Sequence, residues 1–439
     1  MHYDLIIRGG SCVFPWGEAE ADIGVRNGKV ASLSVGSADE ASRVIDARGL
    51  HVLPGLIDAH VHLRDPGKPE VETLETGTRA AALGGIATVF DMPNTSPSVT
   101  DVTMIDWKRD HIRKTAHVDV GIYVGATREN TPDLATLEQQ PGVCAVKVFA
   151  GSSTGNLMIE DDAGLEAVMR SGHRRVAYHS EDEYRLQARK PMFHEGQPYE
   201  THSVWRDVEC AFLGTRRIMA LARKTNRPAH ILHVSTAEEL DYLADYRDIS
   251  TVEVLVNHLT QVAPECYEKL GGLAVMNPPL RDRSHWEASW KAVRDGRVDV
   301  VSSDHAPHPL EAKKLPWPKC PAGLTGTQTI VPVMLDHVNA GRLSLSRLVD
   351  LMAAGPARVY GLQTKGRMAV GFDADFTLVD MKAEREITND WIVTPAGWTP
   401  FDGTRVTGWP MATIVRGTVV MQDNEVSGAQ TGEPAKFAP

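Results

Sequence analysis

The sequence predicts a (β/α)8 (TIM) barrel that carries a small composite β-sandwich domain formed by both termini. Three observations lead there. Short apolar strands alternate with longer amphipathic segments through the middle of the chain, the pattern of βα units around a parallel sheet. Eight such strands can be counted, the number that closes a barrel. The first fifty residues and the region beyond about Gly366 share a different character, strand-like and punctuated by glycine.

At the amino end, strands are expected over Asp4–Arg8, Ala21–Arg26, Val30–Leu33 and Arg43–Asp46, with Asn27-Gly28 as a hairpin signal. The barrel strands are expected over Leu56–Leu63, Thr88–Met92, Asp119–Gly125, Cys144–Phe149, Arg175–Ser180, Ala229–Val234, Thr251–Asn257 and Asp299–Ser303. Helices fall between most of them, for example Glu72–Leu83, Met104–Arg113, Val204–Lys224 and Ala237–Leu243. Beyond the barrel, Ala374–Val379, Ala412–Val415 and Thr418–Met421 read as strands, and the last dozen residues, rich in Gly, Gln and Pro, as a loose tail. The expected limits are 1–53 and 364–439 for the two parts of the sandwich and 54–363 for the barrel. An open doubly wound sheet is the alternative, but no G-x-G-x-x-G follows a strand and there is no Walker A loop.

Composition narrows the function. Of 439 residues, 42% are hydrophobic and 23% charged, a globular balance. The net charge of −11, with no Lys/Arg block, argues against nucleic acid as a partner. Five scattered cysteines without a C-x-x-C argue against a disulfide scaffold or a thiolate zinc site and point to a reducing compartment. The amino terminus meets charges too early for a signal peptide, and no run of about 18 apolar residues suggests a membrane span. A cytoplasmic protein is expected.

The chemistry concentrates where barrel strands end. His60-Val61-His62 closes the first strand, and period-2 geometry turns both rings toward the barrel mouth, where neutral imidazoles suit zinc and similar ions. His179 ends the fifth strand, His233 the sixth and Asp304 the eighth. Each alone is more simply a rim or core residue; together at one barrel face they point to a metal site. His230, on the other side of its strand from His233, reads as packing against a helix. His111, His117, His173, His194, His202, His285 and His337 lie off the strand ends and read as incidental. Lys147 sits inside the apolar strand Cys144–Phe149, where a bare ammonium is costly to bury. It reads either as a paired or snorkelling lysine or as an amine of lowered pKa able to capture CO2.

These motifs resemble the dihydroorotases of the amidohydrolase superfamily over essentially the whole chain. The resemblance rests on His60-Val61-His62-Leu63-Arg64-Asp65-Pro66-Gly67, with Asp65 where Glu is usual. It also rests on Asp91-Met92-Pro93-Asn94-Thr95, Met276-Asn277-Pro278-Pro279-Leu280-Arg281, Ser303-Asp304-His305-Ala306-Pro307-His308 and Gly371-Phe372-Asp373-Ala374-Asp375. It implies two divalent ions, zinc foremost, with His60 and His62 on one, His179 and His233 on the other, a CO2-derived carbamate on Lys147 bridging them, and Asp304 completing the first. Asp161 or Asp162, after the loop 151–156, is the fallback bridge. The implied reaction is reversible hydrolysis of dihydroorotate to N-carbamoyl-aspartate by a metal-bridging hydroxide, in pyrimidine synthesis, with Asp304 as general base and acid.

The substrate carboxylate is expected on Arg64, with Asn94 and His308 adding hydrogen bonds, while Asn277 and the backbone at Ala322 and Gly323 hold the ring amide; His62 also borders the substrate. Thr154 is expected to close over it. Hydantoinase, dihydropyrimidinase and allantoinase share the implied metal set and are the competing enzymes. A non-catalytic scaffold is the competing class, set aside because every candidate ligand is present. A homodimer is the default assembly, and docking onto aspartate transcarbamoylase is a known habit of some relatives.

Overall fold

The computed structural model describes residues 2–151 and 157–439. Eight parallel strands follow one another in a single sheet: Leu56–Val61, Ile86–Asp91, Asp119–Gly125, Val143–Phe149, Val176–His179, Ala229–Ile231, Ser250–Leu255 and Val300–Ser302. Their burial is nearly unbroken, as strands covered on both faces require. The ring closes through the chain just past the eighth strand: Val61 bridges His305, and the His62 amide donates to the His305 carbonyl at 2.7 Å. Asp58 adds a buried tie, accepting from the Ser303 amide at 3.0 Å and from its hydroxyl.

A second, nine-stranded sheet combines both termini. Its amino-terminal strands include His2–Phe14 and His51–Pro54, and the latter pairs antiparallel with Phe376–Ile387 from the far end of the chain. The edge strand Lys29–Ser32 and the preceding Gly28 are tied back to residues 371–374 by three backbone hydrogen bonds, so the sheet bends round its own core of Leu5, Ile7, Ile23, Val25, Phe376 and Ile414.

Two expectations change. The single helix expected over Val204–Lys224 is two, Thr201–Trp205 and Val208–Thr225. The break falls at Arg206-Asp207, because Asp207 caps the second helix, its side chain accepting from the Cys210 amide, while the Arg206 side chain turns into the core. The carboxyl-terminal segment is docked rather than loose. Gly432 and Ala435 amides donate to Ala116 and Val120 carbonyls, Gln363 donates to Lys436, and Phe437 packs edge-on against Phe90, 5.4 Å between ring centres. That segment supplies backbone partners to the outer end of the third barrel strand.

Candidate functional site

The residues singled out at the strand ends meet around one cavity of about 440 Å3. It is lined by His60, His62, Lys147, His179, His233 and Asp304 on its floor side, and by Arg64, Asn94, Asn277, His308, Ala322 and Gly323 around them. Thr154 lies outside the described residues.

Alternation accounts for only part of this. His60, Lys147 and His179 sit on strands and point inward by register: Lys147 pairs with Ala177, two residues before His179 on the same face. Ala177 in turn pairs with His230, so His230 also faces the barrel interior. It packs edge-on against Tyr360, 5.4 Å between ring centres, at the end of the helix Gly355–Tyr360, below the site. The helix contact is as expected, but it lies inside the barrel. His233 and Asp304 lie beyond their strands, which end at Ile231 and Ser302. Both adopt left-handed backbone, φ 40° and 49°, as does Arg64 at 57°. Side chains disfavour that region, so three cavity residues sit on strained backbone that surrounding hydrogen bonds must hold. For His233 the hold is its own amide, donating to Glu253 at 3.1 Å.

Three of the four histidines, His60, His62 and His179, are fixed by the nitrogen that they turn away from the cavity, whereas His233 Nδ1 is buried without a hydrogen-bond partner. His60 Nδ1–H donates to Glu253 Oε1 at 2.9 Å, and both groups are essentially fully buried. His62 Nδ1–H donates to Asn94 Oδ1 at 2.6 Å. His179 Nε2–H donates to Glu181 Oε2 at 2.8 Å, and Arg206 clasps that carboxylate through Nε at 3.0 Å and through Nη2. Such partners select one tautomer and aim the other nitrogen's lone pair inward. The consequence is a concentration of acceptors. Asp304 Oδ1 lies 3.2 Å from His60 Nε2 and 3.1 Å from His62 Nε2, and ligand atoms of His60, His233 and Asp304 all fall within 4.8 Å of one another.

The electrostatics agree. Burial lowers the pKa of His62 to about 4, against the pull of Asp304, and puts His179 and His233 below the ordinary histidine range. Burial would raise Asp304, but His60, His62 and His233 hold it well below the carboxylate range. Neutral imidazoles and an ionised carboxylate whose lone pairs converge fit a divalent cation, the one species that satisfies all of them at once. Lys147 is buried, with Nζ 4.6 Å from the centre of the Phe149 ring, and burial brings its pKa down to about 7. The fallback aspartates do not line the cavity. Asp161 caps the helix Asp162–Arg170 through the Gly164 amide and pairs with Arg128, and Asp162 pairs with Arg217 at 3.2 Å.

The upper cavity is a cationic and amide-bearing rim. Arg64 is anchored by Nε to the Pro307 carbonyl at 3.3 Å, with Nη2 3.4 Å from His308 Nε2. Burial lowers it only to about 10, so it stays charged at neutral pH. His308 Nε2 is 3.0 Å from the Ala322 carbonyl. Gly323 has φ 142°, and a Cβ there would come within 2.5 Å of the Ala306 carbonyl, so only glycine lets this strand of backbone edge the cavity.

Residues 51–420 match the amidohydrolase family. The chain belongs to that family. This amidohydrolase is 36% identical to a dihydroorotase of Pyrococcus furiosus over 94% of its own length and 92% of the relative's. It is 33% identical to a dihydroorotase of Halalkalibacterium halodurans over 96% and 99%. Among solved structures it resembles an L-hydantoinase (dihydropyrimidinase) from Arthrobacter aurescens, with a TM-score of 0.93, 29% identity and coverage of 99% and 100%. The amidohydrolase is thus a hydrolase whose family features are consistent with divalent metal ions.

Sequence reasoning missed the outward partners. Glu253 carries a signal like that of Lys147, a charge in an inward position of the apolar strand Ser250–Leu255. Glu181 follows His179 by two residues. Arg206 and His202, by contrast, reach the site from a helix break and a short helix that no periodicity marks.

Proposed function

We propose that this amidohydrolase is a dihydroorotase, opening the ring amide of dihydroorotate to N-carbamoyl-aspartate and closing it in reverse. The observation that carries the reading is Arg64, a charged, half-buried guanidinium lining the same cavity as the histidine–aspartate cluster. A ring bearing an exocyclic carboxylate supplies the counter-charge that such a cation needs; an uncharged ring does not. The sequence likeness to dihydroorotases supports it further.

In this reading His60, His62, His179, His233 and Asp304 would hold two divalent ions, zinc foremost, and Lys147 as a carbamate would join in holding them. Lys147 suits carbamylation: at a pKa near 7 its free amine adds to CO2 through a new N–C bond and releases one N–H proton. When bound, the ions supply an activated water and polarise the scissile carbonyl. Asp304 takes the proton of the attacking water on its carboxylate and passes it to the ring nitrogen as the C–N bond breaks. Arg64, the Asn94 NH2 and His308 hold the carboxylate, and Asn277 with the Ala322-Gly323 backbone holds the ring amide. The barrel unit 54–363 carries this chemistry, and 1–53 with 364–439 form its companion domain. A cytoplasmic homodimer, able to dock on aspartate transcarbamoylase, is the setting that goes with the reading. The five free, buried thiols suit a reducing compartment, and among the described residues no helix is long and apolar enough to cross a membrane.

A second reading, hydantoinase or dihydropyrimidinase, is favoured by the likeness in fold. Allantoinase shares the same proposed metal residues. The test is hydrolysis of dihydroorotate, dihydrouracil, hydantoin and allantoin side by side, by protein supplied with zinc and bicarbonate. A strong preference for dihydroorotate is expected; preference for an uncharged ring overturns the substrate assignment and leaves the metal cluster.

A further inference from the structure

His202 reads from the sequence as an incidental histidine, yet it sits at a junction behind the cavity. It lies on the short helix Thr201–Trp205 and is buried. Its Nε2 is 2.9 Å from Asn277 Oδ1 and 3.0 Å from the Met276 carbonyl. Its Nδ1 is 3.2 Å from Nε1 of Trp317. An indole N–H donates and never accepts, so Nδ1 of His202 must be the acceptor, and the ring's hydrogen must reside on Nε2. Burial supports this by driving the ring far toward its neutral form, to a pKa of about 3.

The hydrogen on Nε2 decides how Asn277 hangs. Two carbonyl oxygens, the Met276 main chain and the Asn277 side chain, share that single N–H. If the Asn277 amide were turned over, its NH2 would face the Nε2–H, donor against donor, and the Nε2–H would keep the Met276 carbonyl alone. With Oδ1 held by His202, the NH2 is the end left for the cavity that Asn277 lines.

The same junction is braced from two further sides. Arg206, the residue after the helix, holds Glu181 behind His179, and its own carbonyl accepts from Arg281 Nη1 at 2.6 Å. Arg281 ends the segment 276–281 that begins with Met276-Asn277. Trp317 precedes Ala322 and Gly323 on the loop that edges the cavity. One helix turn thus touches the cluster side through Arg206 and the ring side through His202.

We propose that His202 is a positioning residue that sets the hydrogen-bonding sense of Asn277, turning its NH2 into the cavity as a donor for a ring carbonyl of the substrate. The site then selects rings that place a carbonyl oxygen, rather than an N–H, opposite Asn277. The inference rests on the cyclic-amide reading of the cavity, but not on which ring is the substrate.

The test is a double-mutant cycle of His202→Leu and Asn277→Ala in the metal-loaded enzyme, with His202→Gln as the conservative variant. His202→Leu is expected to lower kcat/KM roughly tenfold, mostly through KM, as loss of one well-placed hydrogen bond does. Metal content should stay within error of the parent, while Tm falls by a few degrees because the buried Trp317 N–H loses its acceptor. His202→Gln, which keeps an N–H near the Nε2 position, should recover most of the loss. In the Asn277→Ala background His202→Leu should cost little more, because the group it positions is gone.

Additive losses, or an equal loss of metal and Tm in His202→Leu and His202→Gln, would overturn the proposal. Should His202→Leu not fold, His202→Met, which also lacks an Nε2–H but fills more of the ring's volume, takes its place in the cycle, and additivity there is equally decisive. If the parent proves to prefer hydantoin or dihydrouracil, the dihydroorotase reading fails, and the cycle is read on that ring. Coupling there still supports His202 as the positioning residue, and additivity still removes it.

Discussion

Replacing Arg64 with methionine separates the carboxylate-binding role from a structural one. Methionine keeps an unbranched stem of similar reach and imposes no new demand on the left-handed backbone at residue 64, where φ is 57° in any case. What disappears is the guanidinium that lines the cavity beside His308 and Asn94. Because that group remains protonated at neutral pH despite its burial, its bonds to a carboxylate are charge-assisted, each worth about 1.5–3 kcal/mol. Loss of about 3 kcal/mol corresponds to a fall of roughly 150-fold in kcat/KM. Dihydrouracil has the same ring without the carboxylate and forfeits none of this, so its kcat/KM should move by no more than a few-fold. The assay compares both substrates on parent and variant at equal metal content. A proportional loss on the two would mean that Arg64, through its bond to the Pro307 carbonyl, supports the loop 305–308 rather than reading substrate.

Four other outcomes are expected. Asp304→Asn should bind metal in part yet lose about 10^2- to 10^4-fold in kcat, the range for removal of a positioned acid–base group; near-normal turnover would take Asp304 off the proton path. Glu181→Gln should weaken metal affinity by about 10- to 100-fold, measured by competition with a chelator, because a neutral amide holds the His179 N–H less firmly. Intact-mass measurement under non-denaturing conditions should find the protein heavier by one CO2, and Lys147→Ala should abolish that increment. Phe437→Ala should lower stability by about 2 kcal/mol, the worth of a largely buried aromatic ring, and Tm by a few degrees, with KM unchanged.

The fold was legible because its signals are repeated. Eight apolar strands separated by amphipathic helices constrain one another, so small errors in any single boundary leave the barrel standing. The positions of His60, Lys147 and His179 follow from strand alternation alone. The positions of Arg64, His233 and Asp304 do not, because each sits where the chain leaves its strand in a left-handed turn that no period describes. Their place at the ends of the sixth and eighth strands singled out His233 and Asp304, and the family motif singled out Arg64. Glu253 was readable in principle, as a carboxylate at an inward strand position, but a lone charge in a strand has several explanations until its partner is known. The break at Arg206-Asp207 was hidden by helical periodicity that runs through it. Only the Asp207 cap and the buried Arg206 side chain show why two helices exist there. The docked carboxyl terminus misled for a related reason: Gly and Pro mark absence of regular structure, which is not absence of partners.

The hydrogen bonds behind the cavity explain why so many polar groups can be buried together in one barrel. His60, His179 and His202 each give their outward N–H to an acceptor that is itself braced, and His62 gives its own to Asn94: Glu253 also receives the His233 amide, Glu181 is clasped by Arg206, and the Met276 and Asn277 carbonyls lie on the loop that Arg281 ties to Arg206. The ring N–H donors of His60, His62 and His179 are spent behind the cavity, so these rings and Asp304 turn lone pairs inward on its floor, and N–H groups face inward around its rim. A cavity divided in this way is complementary to a ligand that is cationic at one end and rich in oxygen acceptors at the other. Metal ions meet the first requirement, and a ring with carbonyls and a carboxylate meets the second. That division follows from tautomers and amide orientations as well as from the identity of the lining residues. Discrimination among cyclic amides should therefore respond to changes at Arg64, Asn94 and His202 more than to any change among the proposed metal ligands of the floor.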